Sequence, residues 1–92
     1  LDVRERRMLG VLRFTRQLEV ELQLASQQEG IQLPLSAASA ARGLHALFDG
    51  VLRAWLLHDA APFDLEEEGM AAVTVYLQGL GFTFEKKLRE LT

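Results

Sequence analysis

The sequence is 92 residues long, with 49% hydrophobic and 25% charged residues, a formal net charge of −3 and no cysteine. That apolar content excludes disorder as the default state. The missing thiols exclude disulfide scaffolds, thiol chemistry and cysteine-ligated zinc, and the acidic balance argues against a surface that grips nucleic acid by charge alone.

The opening stretch, LDVRERRMLGV, has no signal-peptide layout and does not begin with Met, as expected of a fragment or a processed chain. No apolar run approaches the roughly 18 residues that span a bilayer, so no membrane partner is expected. The starting expectation is a cytoplasmic, helical, interaction-type domain. Two breaks, Gly30-Ile31-Gln32-Leu33-Pro34 and His58-Asp59-Ala60-Ala61-Pro62-Phe63, divide the chain into three helical pieces.

The first piece is expected over 3–29. At about 100° per residue, Met8, Val11, Leu12, Phe14, Leu18, Leu22 and Ala25 fall on one broad face, and Leu9, Val20 and Leu24 form a weaker stripe. Two stripes mean two neighbours. Gly30 suits the left-handed position after a helix, and Pro34 keeps the helix from resuming. Arg4, Arg6 and Arg7 lie where the helix dipole disfavours cations, which fits a helix starting further upstream.

The second piece is expected over 36–58, with Ser36 as N-cap. Its apolar arc holds Leu44, Leu47, Phe48, Val51, Leu52 and Trp55, and Trp55 reads as a core anchor. A small-residue arc holds Gly43, Ala46, Gly50 and Ala54. Each glycine costs up to ~1 kcal/mol against alanine in a helix interior, so two on one face point to close approach of another helix. Only a narrow arc of Arg42, His45, Asp49 and Arg53 is comfortable in water, so this helix is expected to be largely buried in the assembled state.

The third piece is expected over 65–80. Asp64 with Glu67 forms an acidic variant of the capping box, and Glu66, Glu67 and Glu68 favour the positive end of the dipole. Leu65, Gly69, Ala72, Val73, Tyr76, Leu77 and Leu80 form its apolar face. Gly79 and Gly81 are expected to loosen its end, and the tail FTFEKKLRELT to add a turn or two or to fray. The fold class is thus all-α, three antiparallel helices in one domain over residues 1–92. So many apolar faces do not close a core alone. A four-helix interface built from two helices of each of two copies is the economical solution.

The stretch GLHALFDGVLRAWLL at 43–57, followed by HDAAPFDLEEEG at 58–69, resembles the C-terminal region of TetR-family transcriptional regulators, in the AcrR/TtgR-like branch that represses multidrug efflux operons. The marks are the Gly30–Pro34 break (one residue longer than the usual form), the H-A-x-x-D-G-x-x-x-x-W-L-L run and the F-D-L-x-x-E helix start. The resemblance covers about residues 8 to 80.

It implies an effector-sensing and dimerising region of a repressor that leaves DNA when an apolar, drug-like ligand binds. The protein would be a homodimer and would touch DNA only through an N-terminal helix-turn-helix that this chain lacks. The ligand face implied is Leu44, His45, Phe48, Asp49 and Leu52, with Phe14, Leu18 and Leu22 from the first helix. One carboxylate or imidazole can orient a ligand in an otherwise apolar pocket. The competing reading of Asp49 is a solvated i, i+4 pair with Arg53, and that of Phe14, Leu18 and Leu22 is plain core. The subunit interface implied is Gly43, Leu47, Gly50 and Ala54, with Leu65, Val73, Tyr76 and Leu77 from the third helix. The alternative there is close packing within one chain, and a ligand-free dimerisation module remains the rival function. No cofactor or metal site is expected, since His45 and His58 are the only histidines and stand far apart. No nucleophile with a base and no phosphate loop can be assembled, so an enzyme is not expected.

Overall fold

The computed structural model of the chain describes residues 2–57 and 63–83. All regular structure among them is helical: α1 spans Val3–Glu29, α2 Ala37–Leu57 and α3 Leu65–Gly79. The second break, at 58–62, and the tail from 84 onward lie outside the described residues.

The helix starts follow side-chain chemistry. Asp2 caps α1, its carboxylate accepting from the Glu5 N–H at 2.7 Å. The Ser36 hydroxyl accepts from the Ser39 N–H at 3.1 Å, and the Asp64 carboxylate from the Glu67 N–H at 2.9 Å. Each satisfies an N–H that the first turn of a helix leaves without a partner.

Two of the helix ends share one motif. At Gly30, with φ 67°, the glycine N–H bonds the Gln27 carbonyl at 3.3 Å and the Ile31 N–H bonds the Ser26 carbonyl at 2.8 Å. At Gly81, with φ 110°, the glycine N–H bonds the Gln78 carbonyl at 3.0 Å and the Phe82 N–H bonds the Leu77 carbonyl at 3.1 Å. Both are the paired 5→2 and 6→1 bonds of a Schellman ending, which turns the following residue back onto its own helix. Gly81 therefore closes α3, where the sequence led us to expect a loosened end.

The residues that follow the two glycines enter the core. Phe82 and Leu80 are buried with Leu22, Ala40 and Ala41, and Ile31, Leu33, Leu18, Ala25, Tyr76 and Leu77 pack around them. The core therefore sits where the C-terminal half of α1, the start of α2 and the end of α3 converge. Phe14 lies against His45 while Leu22 clusters with Ala40 and Ala41, so α1 and α2 run in opposite directions. Tyr76 reaches Ala40 while Leu65 and Gly69 share a groove with Val51 and Leu52, so α3 runs antiparallel to α2 as well. Both outer helices pack on α2 and not along each other.

The other ends of the helices are bare. Met8, Leu12 and Phe14 on α1, Phe48, Leu52, Leu56 and Leu57 on α2, and Met70 and Val75 on α3 are exposed. Trp55, expected as a core anchor, is 37% exposed. In this single chain the buried positions of α2 are Ala40, Ala41 and Leu44, all in its first half. The reason is geometric: among the described residues, the grooves along the second half of α2 are walled by α3 and the Phe63 that precedes it, and not by α1.

Candidate functional site

Because α1 and α3 splay apart on α2, each side of α2 presents a different surface. On one side a groove of about 330 Å³ runs between α2 and α3, lined by Leu47, Phe48, Val51 and Leu52 from α2 and Leu65, Glu66, Gly69, Met70 and Val73 from α3. Glu66 is its one charged side chain. Nearer the core a second hollow, of about 290 Å³, is walled by Leu18, Leu22 and Ala25 of α1, Leu44 of α2 and Leu77 and Phe82 of the third segment, with Glu21 and Glu29 at its edge. Beside these, the rings of Phe14 and His45 meet edge-on with centroids 5.7 Å apart.

The structure thus distributes the eight expected ligand residues over neighbouring places. Leu18, Leu22 and Leu44 share the hollow, and Leu22 and Leu44 are buried. Phe14 and His45 form a pair. Phe48 and Leu52 lie in the α2–α3 groove. Asp49 stands apart from these. Its Oδ2 pairs with Arg53 Nε at 3.0 Å, and the two side chains are 48% and 74% exposed. This is the solvated i, i+4 arrangement that was the competing reading for Asp49.

On the opposite side of the α2–α3 seam lies a shallow trough of about 350 Å³ lined by Ala46, Leu47, Gly50, Val51, Ala54, Phe63, Glu68 and Ala72. Gly50 and Ala54 are exposed there, and Ala71 and Val75 of α3 are exposed as well. Leu47 and Val51 line both the groove and the trough, so they form the seam itself. Gly43 is used within the chain: a Cβ there would overlap the Tyr76 hydroxyl, and the ring carbon that bears it lies 3.2 Å away. Tyr76 donates to the Ala40 carbonyl at 2.7 Å, and Leu77 packs on the core. Leu65 and Val73 face the groove. Of the eight expected interface residues, Gly50 and Ala54 are therefore those fully open to a partner in this chain.

Sequence reasoning missed Met70, Glu66 and Val51 as groove residues. Met70 was recoverable, because Met70, Val73 and Leu77 repeat at i, i+3, i+7 along one stripe of α3. It also missed Phe82, whose place after Gly81 is the position where a Schellman ending puts an apolar residue. Among the described residues no group of three His, Asp or Glu side chains converges as metal ligands would, and no helix is long and apolar enough to cross a membrane.

No curated protein and no solved structure matches the chain. Residues 2–82 match the family described as MAATS-type transcriptional repressor, C-terminal region, a family of regulators within the TetR class. That match takes in all three helices, both Schellman endings and every residue of the groove and the trough. The chain belongs to this family, as the C-terminal region of a TetR-family transcriptional repressor.

Proposed function

We propose that this chain is the effector-sensing and dimerising region of an AcrR/TtgR-like repressor of a multidrug efflux operon, acting in the cytoplasm. An apolar ligand binds the face formed by the α2–α3 groove and the neighbouring hollow, and a second copy covers the trough on the other side of α2. The observation that carries this reading is the groove itself: Phe48, Leu52, Met70 and Val73 present a nearly uncharged apolar wall that the single chain leaves open. Ligand sites of about 300–1,000 Å³ are walled in this way, with few polar groups. The unburied surface supports the dimer. Leu56 and Leu57 of α2 and Met70 and Val75 of α3 are among the large apolar side chains left exposed, as a subunit face requires.

The mechanism follows from α2 serving both faces. Phe48 and Gly50 are two residues apart and so point roughly 160° from each other at 3.6 residues per turn. A ligand pressing on the Phe48–Leu52 side displaces the helix whose Gly50–Ala54 side holds the partner. The ligand needs only to bind one arrangement of the two subunits better than the other. Dimeric helix-turn-helix readers require half-sites about 34 Å apart or multiples of it, so a small rotation between subunits releases DNA. The reading heads themselves belong to an N-terminal domain outside these residues.

The test is titration of an efflux substrate into the full-length protein and its Phe48→Ala and Asp49→Ala variants. Loss of a buried phenyl contact costs about 1.5–3 kcal/mol, so Phe48→Ala should weaken binding roughly tenfold or more. Unchanged affinity in both variants sinks the site. The exposed Asp49–Arg53 pair favours a second reading, a dimerisation module with no ligand, because it occupies the one carboxylate of the expected arc. A thermal-shift screen separates the two, since a ligand of the native state must raise the melting temperature.

A further inference from the structure

We propose that the groove between the middle of α1 and the first turns of α2 is a separate site for a small amphiphile bearing a carboxylate. The groove has a volume of about 460 Å³ and is lined by Leu9, Leu12, Arg13, Thr15, Arg16 and Glu19 of α1 and by Ala38 and Arg42 of α2. It shares no residue with the α2–α3 groove, the hollow or the trough.

Its charge is opposite to theirs. The charged residues of the other three are carboxylates: Glu66 in the groove, Glu21 and Glu29 at the hollow, Glu68 at the trough. Here three arginines, two from α1 and one from α2, line the groove together with Leu9, Leu12 and Ala38. None has a carboxylate partner: among the described residues the ion pair formed is Asp49–Arg53. Arg42 donates to the Ser39 hydroxyl at 3.2 Å, a neutral acceptor. The Thr15 hydroxyl is turned back on its own helix, donating to Val11 and Leu12 carbonyls, so it does not compete for a ligand. Glu19 is the one anion of the lining, against three arginines, so the charge balance of the groove is cationic.

Arginine suits this task because its planar fork bonds both oxygens of a carboxylate at once and is weakly hydrated. Leu9, Leu12 and Ala38 supply the apolar surface for a tail. The volume lies within the range of sites for small molecules. An anion repelled by the carboxylates of the effector face finds complementary charge here, so the protein can hold two ligands of different character at once.

The experiment is calorimetric titration of decanoate, below its aggregation concentration, into the full-length protein, beside decanol and decyltrimethylammonium. The expected result is saturable decanoate binding at least tenfold tighter than decanol, weakened by added salt. Arg13→Ala with Arg42→Ala should weaken decanoate at least tenfold, and Arg16→Glu should do so alone. All three positions are exposed, so the variants keep their fold. Phe48→Ala should leave decanoate unaffected. No saturable binding, decanoate binding as tight in the arginine variants as in the parent, or decanoate binding lost in Phe48→Ala but kept in the arginine variants would each overturn the proposal. The last of these outcomes would place the anion on the effector face.

Discussion

The hydroxyl of Tyr76 donates a 2.7 Å hydrogen bond to the carbonyl of Ala40, 36 residues earlier. It can do so because Gly43, one turn further along α2, has no side chain: a Cβ there would meet the same hydroxyl. One polar contact thus fixes how α3 lies on α2, and with it the width of the groove on one side and the trough on the other. Gly43→Ala gains up to ~1 kcal/mol of helix propensity, but forcing extra volume into a packed contact costs about 1–3 kcal/mol. We expect a net loss of up to about 2 kcal/mol. Tyr76→Phe alone should cost about 1 kcal/mol for the hydrogen bond. In the double variant the overlap with the hydroxyl is gone and only the tight contact with the ring carbon at 3.2 Å remains, so the two effects should be non-additive. Melting curves of the four proteins check this, and a stabilising Gly43→Ala in the native background would refute it.

The two glycines with positive φ should differ in cost. Gly30, at φ 67° and ψ 33°, is in the left-handed well, and a Cβ there would meet nothing. Alanine should cost about 1 kcal/mol, the intrinsic penalty of that conformation. Gly81, at φ 110°, lies outside that well, and its Cβ would stand 2.9 Å from the Ile31 Cγ2. Gly81→Ala should therefore be the worse change by at least ~1 kcal/mol, since it strains the backbone and pushes Ile31 off the core. Equal melting temperatures for the two variants would contradict this account of the core end.

Much of the fold was legible because its signals are local. Ser36 and Asp64 cap as their spacing predicts, and Gly30 ends α1. Asp64→Ala should cost about 1 kcal/mol, while Asp64→Asn, which keeps an acceptor oxygen, should cost a few tenths. Chemical denaturation of the three proteins tests it. What the sequence did not reveal is non-local. The wheel that puts Trp55 on the apolar arc of α2 is correct, but where α1 and α3 cease to cover that arc depends on how three helices splay. In the same way Gly43 reads as a close-approach site, yet periodicity cannot say that the approaching group is Tyr76 of the same chain.

The Asp49–Arg53 pair should contribute little to stability. Both side chains are about half or more exposed, and such surface pairs contribute about 0–1 kcal/mol, screened further by salt. Asp49→Ala and Arg53→Ala should each leave the melting temperature within about a degree or two of the parent. A ligand that needs the Asp49 carboxylate must first break this pair, so Arg53→Ala should then tighten binding. Weaker binding in Arg53→Ala would show instead that the arginine itself touches the ligand.

The subunit face yields the sharpest separation of roles. Gly50, Ala54 and Ala72 line the trough, and Val75, one turn beyond Ala72 on α3, is 68% exposed. Small side chains there let two copies bring their α2–α3 pairs close enough for an interface packed like a protein interior. Gly50→Arg should be tolerated by the isolated fold, since a Cβ at this position meets nothing within the chain. In a dimer its bulk and charge fall where the partner must pack, with Glu68 the one anion of the trough lining, and desolvating that charge costs several kcal/mol. Sedimentation of the full-length protein should therefore show a dimer for the parent and for Phe48→Ala, and a monomer of unchanged helicity for Gly50→Arg. If Gly50→Arg remains dimeric at micromolar concentration, the partner does not sit on the trough. The exposed Phe48, Leu52 and Met70 of the α2–α3 groove would then have to carry the interface instead, leaving the effector face closed by the second subunit rather than open to a ligand.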